Sequence, residues 1–556
     1  MKDIRLFLLL IVSAVLLIAC NTDDADVEDD ATEEDTTEES QDAEEVEETE
    51  DSEEVEDTDS SEDADTSSDD GEDLNLSFLA LPSSLDPHAA NDGYSLYVMI
   101  NIYETLVNLN EDLELEPNLA ESYEQIDDTT WEFVLREDVE FHDGEPFNAE
   151  AVKINLDRVL DEDVGSPLAF LFTEIDEVEV IDEYTVHITT NEPFAALPNH
   201  LAHPGGNMIS PAVIAADYEA MEEGENPLTE VNRNPIGTGF FKFESIVEGD
   251  NIVLTRNDDY WGEPAAPSSV TFRAVPEDGA RIAELTTGNA DLIYPTNPGD
   301  VAQINESELA YAREADSANM TYLGFNTEVE PFDDPIVRQA IGMAINKDVI
   351  IEELLEGIAL KAETPLNPTV NAHSEDLEPL EYNKEQAIQL LEENGYEDGF
   401  SAEIIMNNRT HADVATFIQE ELRELNIDIS ISQVEAATFQ EYAASGNFEM
   451  LMGGWGTVTL DGDYGLYPLF HSDNIGAPGN RTRYQNEEVD ELLDAARTEG
   501  DWDTRFGYYE EAQQIIIDEA PLVPIYHTVL ISGIQEDLEN YFQYPSSFPY
   551  IKNLTR

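Results

Sequence analysis

The chain of 556 residues is poor in cysteine and in positive charge: it has one cysteine, Cys20, and 23 lysines and arginines against 126 aspartates and glutamates. A single thiol excludes intramolecular disulfides and any zinc site built from clustered cysteines. A formal net charge of −103 argues against nucleic acid and anionic membrane surfaces as partners, because both would be repelled. Lysine is scarcer than arginine, 7 against 16, and a carboxylate-covered, lysine-poor surface is what a protein folded in high salt needs, where screening removes self-repulsion. Also missing are G-x-x-x-x-G-K-[ST], G-x-G-x-x-G after a strand, H-E-x-x-H and G-x-S-x-G, and with them the common signatures of enzymes. The histidines are scattered. The one close pair, His200 and His203, precedes Pro-Gly-Gly and reads as structural rather than as two metal ligands on a helix face. No cofactor, no metal and no enzymatic activity is expected.

The longest apolar run is short and lies at the start. Leu6 to Ile18 follows Lys2 and Arg5, and is below the roughly 20 residues that a spanning helix needs, so it reads as a secretory signal. Leu17-Ile18-Ala19 before Cys20 resembles the lipobox of bacterial lipoproteins, which implies cleavage before Cys20, a diacylglycerol thioether on its sulfur and attachment to the outer face of the cell membrane. Residues 21–73 are almost entirely Asp, Glu, Ser, Thr and Ala, with no basic residue, aromatic or proline. Nothing there can bury a core and like charges repel, so an extended acidic tether is expected. The remaining body is too long for one ordinary core and suggests two or more lobes.

Along the body, strand, turn and helix signals alternate. Leu74 to Leu81 reads as a strand stopped by Pro82, Tyr94 to Leu109 carries helical spacing, Thr130 to Arg136 alternates as a half-buried strand does, and Asn148 is placed to cap a helix running to Leu160. The class is mixed α/β without an internal repeat.

Leu119-Ala-Glu-Ser-Tyr123, then Trp131-Glu-Phe-Val-Leu-Arg136 running on through Phe141-His-Asp-Gly to Val152, closely resembles the signature of the family 5 extracellular solute-binding proteins. That family includes the dipeptide, oligopeptide, nickel and glutathione binding proteins of ABC importers. Pro235-Ile-Gly-Thr-Gly239, Tyr260-Trp261, Leu323-Gly-Phe-Asn326, Val337-Arg-Gln-Ala340 and Pro521-Leu-Val-Pro524 follow in the family's order. Two departures stand out. Phe240-Phe241 replace the usual proline and aromatic after Gly239, and Val458 stands where classical oligopeptide binders carry an acidic residue three positions after the tryptophan. The segment Gly454 to His471 looks most like the glutathione-binding branch.

The resemblance implies a two-lobed periplasmic-binding-protein-like fold of the large, cluster-C type, with a hinge and a discontinuous lobe I: residues 1–20 signal, 21–73 tether, 74–318 lobe I, 319–510 lobe II, and 511–556 completing lobe I. Ligand is then enclosed by lobe closure, and the closed form is handed to permease subunits. The partners expected are a short peptide or glutathione, the permease and, through Cys20, the membrane; the body is expected to be a monomer. A peptide is a zwitterion, so its cleft must complement both charges. Arg409, just before the helix from Asp413 to Leu425, resembles the arginine that takes the ligand carboxylate in dipeptide binders, and Arg481 is the second candidate. Asp461 and Asp463 are candidates for the ammonium, although Asp-Gly-Asp is equally a solvated turn. Trp455 and Tyr94 are candidates for the apolar walls. Three other readings stay open: a nickel or metal-chelate binder, which His411 or His471 in the cleft would favour; a cell-surface peptidase; and a surface sensor.

Overall fold

A computed structural model describes residues 71–476 and 479–556. The expected signal, Cys20 and nearly all of the acidic segment lie outside the described residues. No described helix is long and apolar enough to cross a membrane.

Two large sheets organise the body. The first has seven strands in the order Ala310–Ala315, Leu530–Gln535, Leu292–Tyr294, Asp73–Phe78, Ser269–Ala274, Asn251–Arg256 and Phe241–Val247. Asp73–Phe78 is central and pairs in parallel on both sides, which explains its buried apolar residues Leu74, Leu76 and Phe78. The second has six strands in the order Ala359–Lys361, Leu522–Thr528, Asn319–Phe325, Met450–Gly456, Phe400–Met406 and Ile427–Gln433. A separate four-stranded antiparallel sheet, Ala120–Gln125 to Thr185–Thr190 with Ile175–Asp182 at its edge, buries Phe133, Val186 and Ile188 under the helix Ala149–Leu160.

The chain passes between the large sheets twice, side by side. Ala310–Ala315 pairs with Leu530–Gln535 in the first sheet, and the continuations Asn319–Phe325 and Leu522–Thr528 pair in the second. The Ser317 and Thr528 hydroxyls, one on each crossing segment, lie 3.0 Å apart. The expected return at 511 falls inside the helix Trp502–Glu519, which packs against the second sheet's helices Glu487–Thr498 and Pro335–Ala344. Re-entry into the first sheet comes only at Leu530. The reason is burial: Leu522 to His527 are all buried and need the two-sided cover that the middle of the second sheet supplies.

Local signals set several ends as expected. Asn148 accepts from the Ala151 amide and starts the helix Ala149–Leu160. The helix expected from Tyr94 to Leu109 stops at Ile102 instead. Its last carbonyl is taken by the Gly239 amide at 2.9 Å, and a Cβ at Gly237 would stand 2.2 Å from that same oxygen. Only glycine lets these two chains touch, which accounts for Gly-Thr-Gly.

Candidate functional site

Where the crossing strands end, a cavity of about 300 Å³ opens between elements of the two sheets. On one side stand Asn91, the helix Gly93–Ile102 and the C-terminal Ser546 to Phe548; on the other stand Gly454, Trp455 and Gly456, the helix Gly462–Phe470 and Arg481. Trp455 sits at the end of its strand, its indole donating to the Tyr464 carbonyl at 3.0 Å, with the two rings 5.4 Å apart. The Tyr464 phenol accepts from Asn91 at 3.2 Å; burial pushes its pKa up to about 12, so it stays a neutral donor. Asn319 donates to the Ser547 hydroxyl at 2.9 Å across the floor. Tyr94 stands one ring back, edge-on to Tyr97, which lines the cavity.

Arg481 is half-buried and faces this space. Its one side-chain hydrogen bond is a long one, 3.4 Å to Gln440, and it forms no ion pair among the described residues. In a chain this acidic, a cation without a carboxylate is informative.

A second cavity of about 450 Å³ adjoins the first and shares Val458, Ser546 and Phe548 with it. Glu104 is buried in its wall and accepts from the Tyr260 hydroxyl at 2.6 Å, the Trp261 indole at 2.9 Å and Thr238 at 2.9 Å. Arg136 lies over the Trp261 ring at 4.5 Å, and the Lys552 ammonium lies over Tyr260 at 4.6 Å.

Besides Tyr94, three of the expected contacts are placed elsewhere. Arg409 is the first residue of the helix Arg409–Arg423, its side chain is 93% exposed, and its nearest carboxylate is Asp413 on its own helix. Only Asn407 and Asn408 separate strand from helix, and Asn408 is spent capping His411, so the turn has no length with which to carry Arg409 inward. Asp461 and Asp463 are both 1% exposed and committed to internal partners. Asp461 caps the helix Gly462–Phe470 and receives Arg505 at 2.6 Å and Asn371 at 2.9 Å. Asp463 receives the Arg497 guanidinium at 2.8 and 3.2 Å and His200 at 2.8 Å. Neither carboxylate is left to meet an ammonium group. Burial alone would raise the Asp463 pKa; the charge of Arg497 and the hydrogen bond from His200 outweigh it and hold the carboxyl well below the usual range.

His200 and His203 are structural, as expected. His200 bridges Leu171 and Asp463, and His203 accepts from the Gly205 amide. His411 is half-buried on its helix and His471 stacks on Tyr467 at 4.3 Å; neither lines the cleft. Sequence reasoning missed Asn91, Tyr464 and the Ser546–Phe548 corner, because no local pattern marks them.

Residues 114–477 match the family described as bacterial extracellular solute-binding proteins, family 5 Middle. The glutathione-binding protein GsiB of Salmonella typhi is 33% identical over 476 residues, covering 84% of this chain and 91% of that protein. Among solved structures, the periplasmic binding protein DppA of Helicobacter pylori in complex with the peptide STSA superposes with a TM-score of 0.79 at 28% identity, over 87% of this chain and 98% of that one. HbpA2 of Haemophilus parasuis gives 0.73 at 27%, over 87% and 99%. These relatives are solute-binding proteins, not enzymes.

Proposed function

The chain belongs to the bacterial extracellular solute-binding proteins of family 5, and from that premise we propose that it is the lipid-anchored binding subunit of an ABC importer. It captures short peptides, glutathione among them, by lobe closure and delivers them to permease subunits. One observation carries the ligand reading: a cavity between the two sheets, walled by Trp455, Tyr464 and Tyr97, into which Arg481 projects a cation with no carboxylate partner among the described residues. A ligand carboxylate supplies the missing charge through a bidentate pair. The two side-by-side crossings at 316–318 and at Val529 serve as the hinge, so lobe I comprises 74–318 and 530–556 and lobe II lies between. Two side-by-side crossings constrain opening to one bending direction, which suits a body that reports occupancy by closing.

The reading is tested by mass spectrometry of whatever co-purifies with the protein, followed by calorimetry with di- to pentapeptides, reduced and oxidised glutathione, and nickel chelates. At least one peptide is expected to bind at micromolar concentration or below. Binding of the chelates alone would overturn the peptide reading.

Anchoring rests on Leu17-Ile18-Ala19-Cys20. Two acyl chains beside the thioether hold a protein stably at a bilayer, where one chain does not. Cys20→Ala should therefore release the protein into the medium or leave it uncleaved, as read by lipid labelling and fractionation; unchanged labelling would sink the anchor.

A further inference from the structure

The cations that this protein leaves without a carboxylate are not scattered. Among the described residues, Arg313, Arg338 and Lys347 form no ion pair but are spent on backbone carbonyls, of Tyr541, Glu519 and Ala362 among others. The remaining unpaired cations are Arg481, in the 300 Å³ cavity, and Arg136 and Lys552, in the adjoining 450 Å³ cavity. Arg136 donates its Nε to the Asn118 carbonyl at 2.6 Å, and its terminal nitrogens have no partner among the described residues. The Lys552 ammonium makes no hydrogen bond there either, and rests on the faces of Tyr260 and Phe240, at 4.6 and 5.4 Å.

The carboxylates nearby form no ion pair with them: Glu104 and Glu263 act on Lys552 only through their charge at longer range. Glu104 already accepts three hydrogen bonds, from Thr238, Tyr260 and Trp261, and Glu116 is exposed at the rim. With 126 acidic side chains in the sequence, a half-buried lysine and arginine that face one cavity without an ion pair leave a place for an incoming anion to complete their charge. The aromatic faces beneath them hold the two cations in place while leaving their outer sides free. Val458, Ser546 and Phe548 line both cavities, so the two are immediate neighbours, and a ligand that passes these three side chains would reach from Arg481 into the second space.

We propose that the 450 Å³ cavity is a second anion subsite, in which Lys552 and Arg136 take a carboxylate of a ligand whose other carboxylate lies on Arg481. The protein then selects short peptides with two carboxylates over those with one. This rests on the peptide reading above, and it adds the substrate class. Glutathione has the required chemistry, as does any short peptide with an acidic side chain.

The test is calorimetry on the full chain with glutathione and with trialanine, which has a single carboxylate. Lys552→Met keeps the aliphatic stem on Phe240 and Tyr260 and removes only the charge. It should weaken glutathione binding about tenfold or more while changing trialanine binding less than about twofold, since a charge-assisted bond to one carboxylate is lost. Lys552→Arg should retain glutathione binding, which separates lost charge from disturbed packing. If Lys552→Met binds glutathione as tightly as the parent, the second subsite is overturned and the peptide reading stands. If the parent binds trialanine but not glutathione, the dicarboxylate preference is overturned. If the parent binds neither, nor any peptide of the wider panel, the peptide reading falls and takes the subsite with it.

Discussion

Arg497→Ala should lower the stability of the protein by about 3–5 kcal/mol, because it leaves Asp463 buried and without its cation. Asp463 is 1% exposed and takes two bonds from this guanidinium. The same arginine lies over the rings of Tyr467 at 3.5 Å and Phe194 at 5.1 Å and reaches Glu174 at 3.3 Å. Phe194, Glu174 and His200 come from the four-stranded-sheet segment, while Asp463 and Arg497 come from the second large sheet's helices, so this cluster also fastens one to the other. The pH dependence has a definite sign. A carboxyl whose folded pKa is depressed stabilises the fold above its unfolded pKa of about 3.9 and loses that contribution as pH falls. Without Arg497 the charged form is the unfavourable one, so the deficit of the variant should shrink as the pH drops through about 4. Urea unfolding of parent and variant at neutral and acid pH measures both. A variant as stable as the parent at neutral pH would mean that Asp463 finds another partner or is protonated at little cost.

Arg481→Ala should weaken binding of the best peptide ligand by roughly 2–4 kcal/mol, since a desolvated carboxylate would be left unpaired. Arg481→Lys should recover only part of the loss, because an ammonium cannot reproduce the planar two-pronged grip. Folding should be little changed: the residue is half-buried and has one weak bond, to Gln440. Arg409→Ala is the matched control. With its side chain 93% exposed on the outer turn of its helix, it should bind within about twofold of the parent, as surface charges far from a cleft do. Equal affinity for parent and Arg481→Ala would place the ligand carboxylate elsewhere, with Lys552 and Arg136 as the remaining cations in the cleft.

What the sequence determined by itself was the material that acts over a few residues. The family pattern from Leu119 to Val152, the cap at Asn148, the alternation of Thr130–Leu135 and the glycines of Pro235 to Gly239 all reappear in the structure, because dihedral preference, capping and close backbone approach are settled locally. Trp455 and Arg481 were named from a motif and a loop far apart in the chain, and it is the fold that brings them to one cavity. What only the tertiary structure decided was which charges are spent and which are free. Asp461 and Asp463 looked like open carboxylates beside a glycine, yet His200 reaches Asp463 across 263 residues and Arg505 reaches Asp461 across 44. Arg409 looked like a ligand arginine, yet a connection of two residues turned it to water. Lys552 carried no signal at all until the C-terminal segment laid it on Tyr260. A charge in a low-dielectric interior is governed by its nearest partner, and that partner is chosen by folding, not by adjacency in the chain.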